Sequence, residues 1–232
     1  MKIEILYPHH CNLFGDLSNM DYLKKCLPQA QFVETHLNQE PLFVREKVDM
    51  VYLGPMTERT QELVLERLRP YKDRLWELVG QNTLFLFTGN ALELMGEYIV
   101  KDDGSRINCL GIFPLYAKRD MMHRHNSIFL GSFQGQPVMG FKSQFTMAFP
   151  KSKDLELFPV EKGVGLNKKC AFEGIRHGNF FGTYLLGPIL LLNPPFTRHL
   201  LQCLGAGDVP LALEEEVQAA YEKRLADFKA KA

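Results

Sequence analysis

The sequence predicts an α/β fold: a mixed, mostly parallel sheet flanked by helices. Three observations lead there. Runs rich in β-branched and aromatic residues alternate with helical patterns through the first half of the chain. The second half changes to apolar runs joined by short turns, which read as antiparallel strands. The composition, 46% hydrophobic and 23% charged over 232 residues, suits one globular unit with a full core.

In order along the chain, "KIEILY" is a first strand, "MDYLKKCL" a helix, "QFVETHL" a second strand and "VDMVYLG" a short apolar strand ending at Gly54. From Glu58 to about Leu78 the apolar spacing is helical, with Pro70 breaking or kinking the run. "LFLF" (Leu84 to Phe87) is a buried strand, Thr88-Gly89-Asn90 a tight turn, and "NALELMGEYI" a helix. This βαβαβ order predicts a parallel sheet covered on both faces. Next, "INCLGIFPLYA" and "SIFLGSFQGQPVMGFKSQFTMAF" read as antiparallel strands, turning at Gln134-Gly135-Gln136-Pro137. "NFFGTYLLGPILLL" is another buried strand, and "PPFTRHLLQCLG" a helix that starts after a proline pair and ends at Gly205. A last helix, about 213–232, puts Val217, Tyr221, Leu225 and Phe228 on one stripe that packs on the body.

Several classes are disfavoured. Basic and acidic residues balance at 27 each, with no basic block to hold nucleic acid. No apolar run approaches the roughly 20 residues of a membrane span, and "MKIEILYPHH" reads as a strand rather than a signal peptide. The five cysteines (Cys11, Cys26, Cys109, Cys170, Cys203) are scattered, without CxxC, as in a reduced, cytoplasmic protein.

Read singly, no residue carries convincing chemistry. His9-His10-Cys11 offers adjacent ligands that point to opposite faces of a strand, and His123 and His125 lack a third ligand, so no metal is expected. Cys26, Cys109 and Cys203 sit among apolar residues as core side chains. The phosphate-binding glycine loops and G-x-S-x-G are absent, and no cofactor is implied.

Two stretches change that reading when taken together. "GTYLLGPIL" (Gly182 to Leu190) is similar to G-T-Y-L-H-G-P-I-L, the segment with the catalytic His of CobB/CobQ-type class I glutamine amidotransferases. "FTGNALELMG" resembles that family's nucleophile turn, C-G-G-Y-Q-x-L-G. "NLFGDLSNM" (Asn12 to Met20), "YLGPMTERTQ" (Tyr52 to Gln61, keeping Gly54, Arg59 and Gln61), "VMGFKSQFT" and "GLNKKCAFEGI" resemble further family segments in the required order. The resemblance covers about residues 1–205 and is strongest to the GatD branch. That branch is the glutaminase partner of the Mur-ligase-like MurT in amidating the cell-wall precursor lipid II. It implies a flavodoxin-like core with a mixed sheet of about seven or more strands.

The departures fall on the chemistry. The resemblance puts Gly89, or with a one-residue gap Thr88, at the nucleophile, Glu93 at the motif Gln, and Leu186 at the general-base His. Gly54-Pro55-Met56 replaces the glycine-rich turn beside the oxyanion hole, where proline has no N–H. Lys142, Ser143 and Gln144 replace Glu-Asn-His. Glutamine hydrolysis by this route needs a thiolate, a base and oxyanion donors together. The expectation is therefore a catalytically degenerate homologue that binds a partner, such as a MurT-like ligase, or a small molecule in the old glutamine pocket. Gly54, Arg59, Gln61 and Arg124 are the candidate ligand residues; Arg124 lies near the position of the branch's Arg for the substrate carboxylate. The alternative is an enzyme with different chemistry in the inherited cleft, with Asp16, Cys11, Glu58, Glu93 and Arg124 as candidates. A homo-oligomer without a foreign partner is a third possibility.

Overall fold

Lys2–Leu6, the first run of alternating and then continuous apolar residues, forms β1, one strand in from the edge of a large sheet. The structure is a computed structural model and describes residues 1–230. α1 (Ser18–Cys26), β2 (Gln31–Thr35), β3 (Met50–Leu53), α2 (Glu58–Leu68), α3 (Lys72–Gly80) and β4 (Leu84–Thr88) follow. A 3₁₀ turn at Arg69–Tyr71, with Pro70 inside it, divides α2 from α3. Proline cannot supply the N–H that a continuous helix requires. β1 pairs in parallel with β2 and β3, and β3 with β4. β3 and β4 are buried along their whole length, as strands covered on both faces must be.

The expected helix at "NALELMGEYI" is a correction. Gly89–Met95 is a 3₁₀ segment, and the chain then turns into β5 (Tyr98–Val100). The Leu110 N–H binds the Leu94 carbonyl, and the Ile112 and Phe113 N–H groups bind that of Met95. Those carbonyls are thus unavailable to a next helical turn. "INCLGIFPLYA" likewise is not one strand. It divides into β6 (Arg106–Asn108) and β7 (Leu115–Arg119), and β7 pairs with β5 in parallel.

β8 (His125–Phe133) and β9 (Gln136–Gln144) form the expected hairpin, with the turn reduced to Gln134 and Gly135, both at positive φ. Gln136 and Pro137 already belong to β9. β10 (Thr146–Pro150) leaves the hairpin to join β7, β5 and β6 in a separate four-stranded sheet. β11 (Glu156–Lys162), β12 (Phe172–His177) and β13 (Phe180–Thr183) return to the large sheet. Its nine strands run β2-β1-β3-β4-β13-β12-β11-β8-β9. The β2-to-β13 half is parallel and the rest antiparallel. This small second sheet is set by the long-range pairing of β10 and β5 with β7, which no local pattern in the sequence carries.

α4 (Ile189–Leu192) and α5 (Pro194–Cys203) cover one face through Phe196, Leu200 and Leu201. α6 (Glu214–Ala230) lays Tyr221 and Phe228 against Leu130 and Met139, and the Tyr221 hydroxyl donates to the Pro137 carbonyl. The last two residues of the expected terminal helix lie outside the described residues. Among the described residues, no helix is long and apolar enough to cross a membrane.

Candidate functional site

β3, β4 and β13 run parallel and end at Leu53, Thr88 and Thr183. Ligands of open α/β sheets sit beyond such carboxyl ends. There the segments after all three strands, the turn at Leu13–Gly15 and the end of β9 enclose a cleft of about 310 Å³. Gly89 and Leu186 both line it.

At the turn after β4, Gly89 adopts φ +59, a left-handed conformation that side chains other than glycine's disfavour. Pro55 lies directly over it: a β-carbon at 89 would stand 2.5 Å from the Pro55 Cβ. Asn90 fixes this closure. Its Oδ1 accepts the Met56 N–H at 3.0 Å, and its Nδ2 donates to the Met56 carbonyl at 2.8 Å. The Pro55–Met56 pair therefore offers the cleft no backbone donor, since proline has none and that of Met56 is engaged. Gly54 serves packing, because a β-carbon there would come within 2.3 Å of the Cys11 carbonyl oxygen.

Leu186 is buried, and its N–H donates to the Phe141 carbonyl at 2.9 Å, stitching the end of β13's loop onto β9. Under the turn runs a buried polar chain. Arg119 Nη2 donates to Gln61 Oε1 at 2.8 Å, and Gln61 Nε2 donates to Glu93 Oε2 at 2.8 Å and to the Asn90 carbonyl at 2.7 Å. The Tyr184 hydroxyl donates to the other Glu93 oxygen at 2.8 Å. Burial raises the Glu93 carboxyl to about 7, against the opposing effect of these two donors.

A second buried carboxylate, Glu173, holds the same tyrosine by its backbone. It accepts the Tyr184 N–H at 2.8 Å and the Thr183 hydroxyl at 2.5 Å. Burial raises its pKa, and the Lys142 ammonium opposes that shift. Lys142 is itself buried, donating to the Val164 and Gly165 carbonyls. Burial pulls its pKa down and Glu173 partly restores it. Among the described residues, no three His, Cys, Asp or Glu side chains gather as a metal site.

The CobB/CobQ-like glutamine amidotransferase domain model matches residues 2–193. The chain belongs to this family. Two curated relatives carry the name lipid II isoglutaminyl synthase (glutamine-hydrolyzing) subunit GatD. That of Streptococcus pneumoniae is 24% identical over all of this chain and 93% of its own. That of Staphylococcus aureus is 27% identical over 82% of this chain and 79% of its own. In fold, the chain is similar to a glutamine amidotransferase crystal structure at TM-score 0.55, 13% identity, and 87% and 98% of the two chains. It also matches one from Thermotoga maritima at TM-score 0.53, 11% identity, and 96% and 92% coverage.

Within this CobB/CobQ-like frame, the candidates from the sequence divide. Glu58 and Arg124 line the cleft. Gln61 and Glu93 lie beneath it in the buried chain, 1% exposed each. Arg59 is exposed on α2 and takes no part in the lining. Cys11 is fully buried beside Met56, its thiol pushed up to about 12 by burial, and Asp16 is buried under the Tyr52 and Thr88 hydroxyls. Neither reaches the cleft. Thr88, the alternative nucleophile position, is fully buried, with its hydroxyl on Asp16 at 2.5 Å. Asn90, Arg119 and Tyr184 are not among the sequence candidates, although the structure places all three at or under the cleft. Their signals in the sequence are an asparagine directly after the turn glycine, an arginine at the end of an apolar run and a tyrosine two residues before the expected base position.

Proposed function

We propose that this chain is a catalytically degenerate CobB/CobQ-like amidotransferase that acts by binding, as the GatD-like subunit of a cytoplasmic assembly with a MurT-like ligase in cell-wall precursor amidation. The observation that carries the reading is Pro55 over Gly89. It closes the space a cysteine side chain would need and leaves the turn without a nucleophile, while Leu186 offers no proton acceptor. The subunit naming of the relatives supports a partner, and the five free cysteines suit a reducing compartment. Incubating the purified chain with glutamine, alone and with a coexpressed Mur-ligase-like protein, tests it. No glutamate above the buffer rate and a stable complex are expected; robust glutamate release from the chain sinks the reading.

A second reading, different chemistry in the inherited cleft, draws on one observation: Glu93, raised to about 7, is bonded to Tyr184 at the cleft wall. Turnover of any member of a chromogenic ester, amide and phosphate panel that vanishes in Tyr184→Phe, with the fold intact, would favour it.

A further inference from the structure

α5 carries two metal-ligating side chains one turn apart. His199 and Cys203 are four residues apart, so both project from one face of the helix. The His199 Nε2 lies 3.5 Å from the Cys203 Sγ. Neither residue lines the cleft. Cys203 is half-buried, a correction to its reading as a core side chain, whereas Cys11, Cys26 and Cys109 are buried.

Packing holds the imidazole in place. Its ring meets Phe133 and Phe181 edge to face, with centroids 4.8 and 5.7 Å away. The Arg176 guanidinium stacks on the same two rings, 5.4 and 5.3 Å from their centroids. Burial and then this cation lower the His199 pKa, so the ring is neutral at neutral pH. Burial raises the Cys203 thiol, and Arg176 opposes that shift by favouring the thiolate. Metal ions take imidazole in its neutral form and cysteine as thiolate, so Arg176 favours the ligating form of both. It also repels a cation, which the thiolate charge offsets.

The spacing fits an ion. A tetrahedral zinc-class ion holds nitrogen at about 2.0 Å and thiolate sulfur at about 2.3 Å, which sets those two atoms about 3.5 Å apart. Among the described residues no third His, Cys, Asp or Glu joins the pair, so the remaining positions would fall to water. A thiolate with an imidazole prefers such ions over magnesium or calcium, which take oxygen ligands.

We propose that His199 and Cys203 form a binding site for a soft divalent cation of the zinc class, chelated through Nε2 and Sγ across one turn of α5. Binding forms one metal–nitrogen and one metal–sulfur bond and releases the thiol proton to solvent, with no change of oxidation state. The site is separate from the cleft and does not depend on whether the cleft is catalytic.

Titration of the intact, reduced chain with Co²⁺ and Cd²⁺, followed by thiolate-to-metal charge-transfer absorption, is the test. A saturable band at one ion per chain is expected, displaced by Zn²⁺ and not by Mg²⁺. Cys203→Ser should abolish the band, and His199→Gln should weaken Cd²⁺ binding about tenfold or more, both with circular dichroism unchanged. Cys170→Ser removes the other half-buried thiol and should bind as the parent does. Zn²⁺ should also raise the thermal midpoint of the parent and leave that of Cys203→Ser unmoved. The inference is overturned if no band forms, if the band survives Cys203→Ser, or if Mg²⁺ displaces the ion. It is equally overturned if His199→Gln binds as tightly as the parent, since the thiol would then act alone.

Discussion

The Pro55 ring covers the α-carbon of Gly89, so a β-carbon at 89 would lie 2.5 Å from the Pro55 Cβ and 3.2 Å from its Cα. The contact joins two loops that follow neighbouring parallel strands, and it makes restoring the nucleophile costly. Gly89→Cys must accept positive φ and force Pro55 aside, together about 3 kcal/mol. Urea unfolding should show that loss, and the double variant Gly89→Cys/Leu186→His should still release no glutamate. Adding Pro55→Gly should return part of the stability. A fully stable Gly89→Cys would mean that Pro55 yields freely and does not close the turn.

Asn90 latches that closure through both hydrogen bonds to the Met56 backbone. Asn90→Ala removes them and leaves the Met56 N–H and carbonyl without these partners, a cost of about 2 kcal/mol. Amide exchange at Met56 should accelerate in the variant more than exchange at β3 does. Equal exchange at Met56 in both proteins would show that the latch contributes nothing.

The parallel half of the fold was legible because β1, β3 and β4 are apolar runs spaced by amphipathic helices, and Pro70 marks the break between α2 and α3. The 3₁₀ segment at Gly89–Met95 was not, since its length is set by N–H groups of Leu110, Ile112 and Phe113, which lie beyond any local window. The cleft was legible only through resemblance, in the paired positions Gly89 and Leu186. Of its buried supports, Gln61 and Glu93 are named by the same resemblance, while the burial of Lys142 and Glu173 is not. Lys142 and Glu173 are ordinary surface residue types, and only the long-range pairing of β9 and β12 with their neighbours places them inside.

Lys142 satisfies the Val164 and Gly165 carbonyls and faces the charge of Glu173. Lys142→Met keeps most of the apolar stem but leaves those carbonyls without the ammonium and a buried carboxylate without its counter-charge. The two orphaned carbonyls alone cost about 2 kcal/mol. A lowered urea midpoint at neutral pH is expected, and Lys142→Met/Glu173→Gln should recover part of the loss. If the double variant is as unstable as the sum of the singles, the two side chains are not coupled.

Glu93 gives the fold a signed pH dependence. Burial raises its carboxyl in the folded state to about 7, from an ordinary value of 4.5. Between those values the folded chain binds the proton that the unfolded chain has released. Stability therefore falls as pH rises from about 4.5 to 7 and stays lowered above, by about 3 kcal/mol for this residue. The Glu4, Asp16 and Glu173 carboxyls, also raised by burial, act in the same direction. Glu93→Gln keeps an acceptor for Gln61 and no longer titrates. Denaturant unfolding across pH 5 to 8 should accordingly show a shallower decline in the variant and greater stability than the parent at about pH 8. A variant with an unchanged slope would mean that Glu93 is ionised in the folded protein throughout that range, held charged by Gln61, Tyr184 and the nearby Arg119.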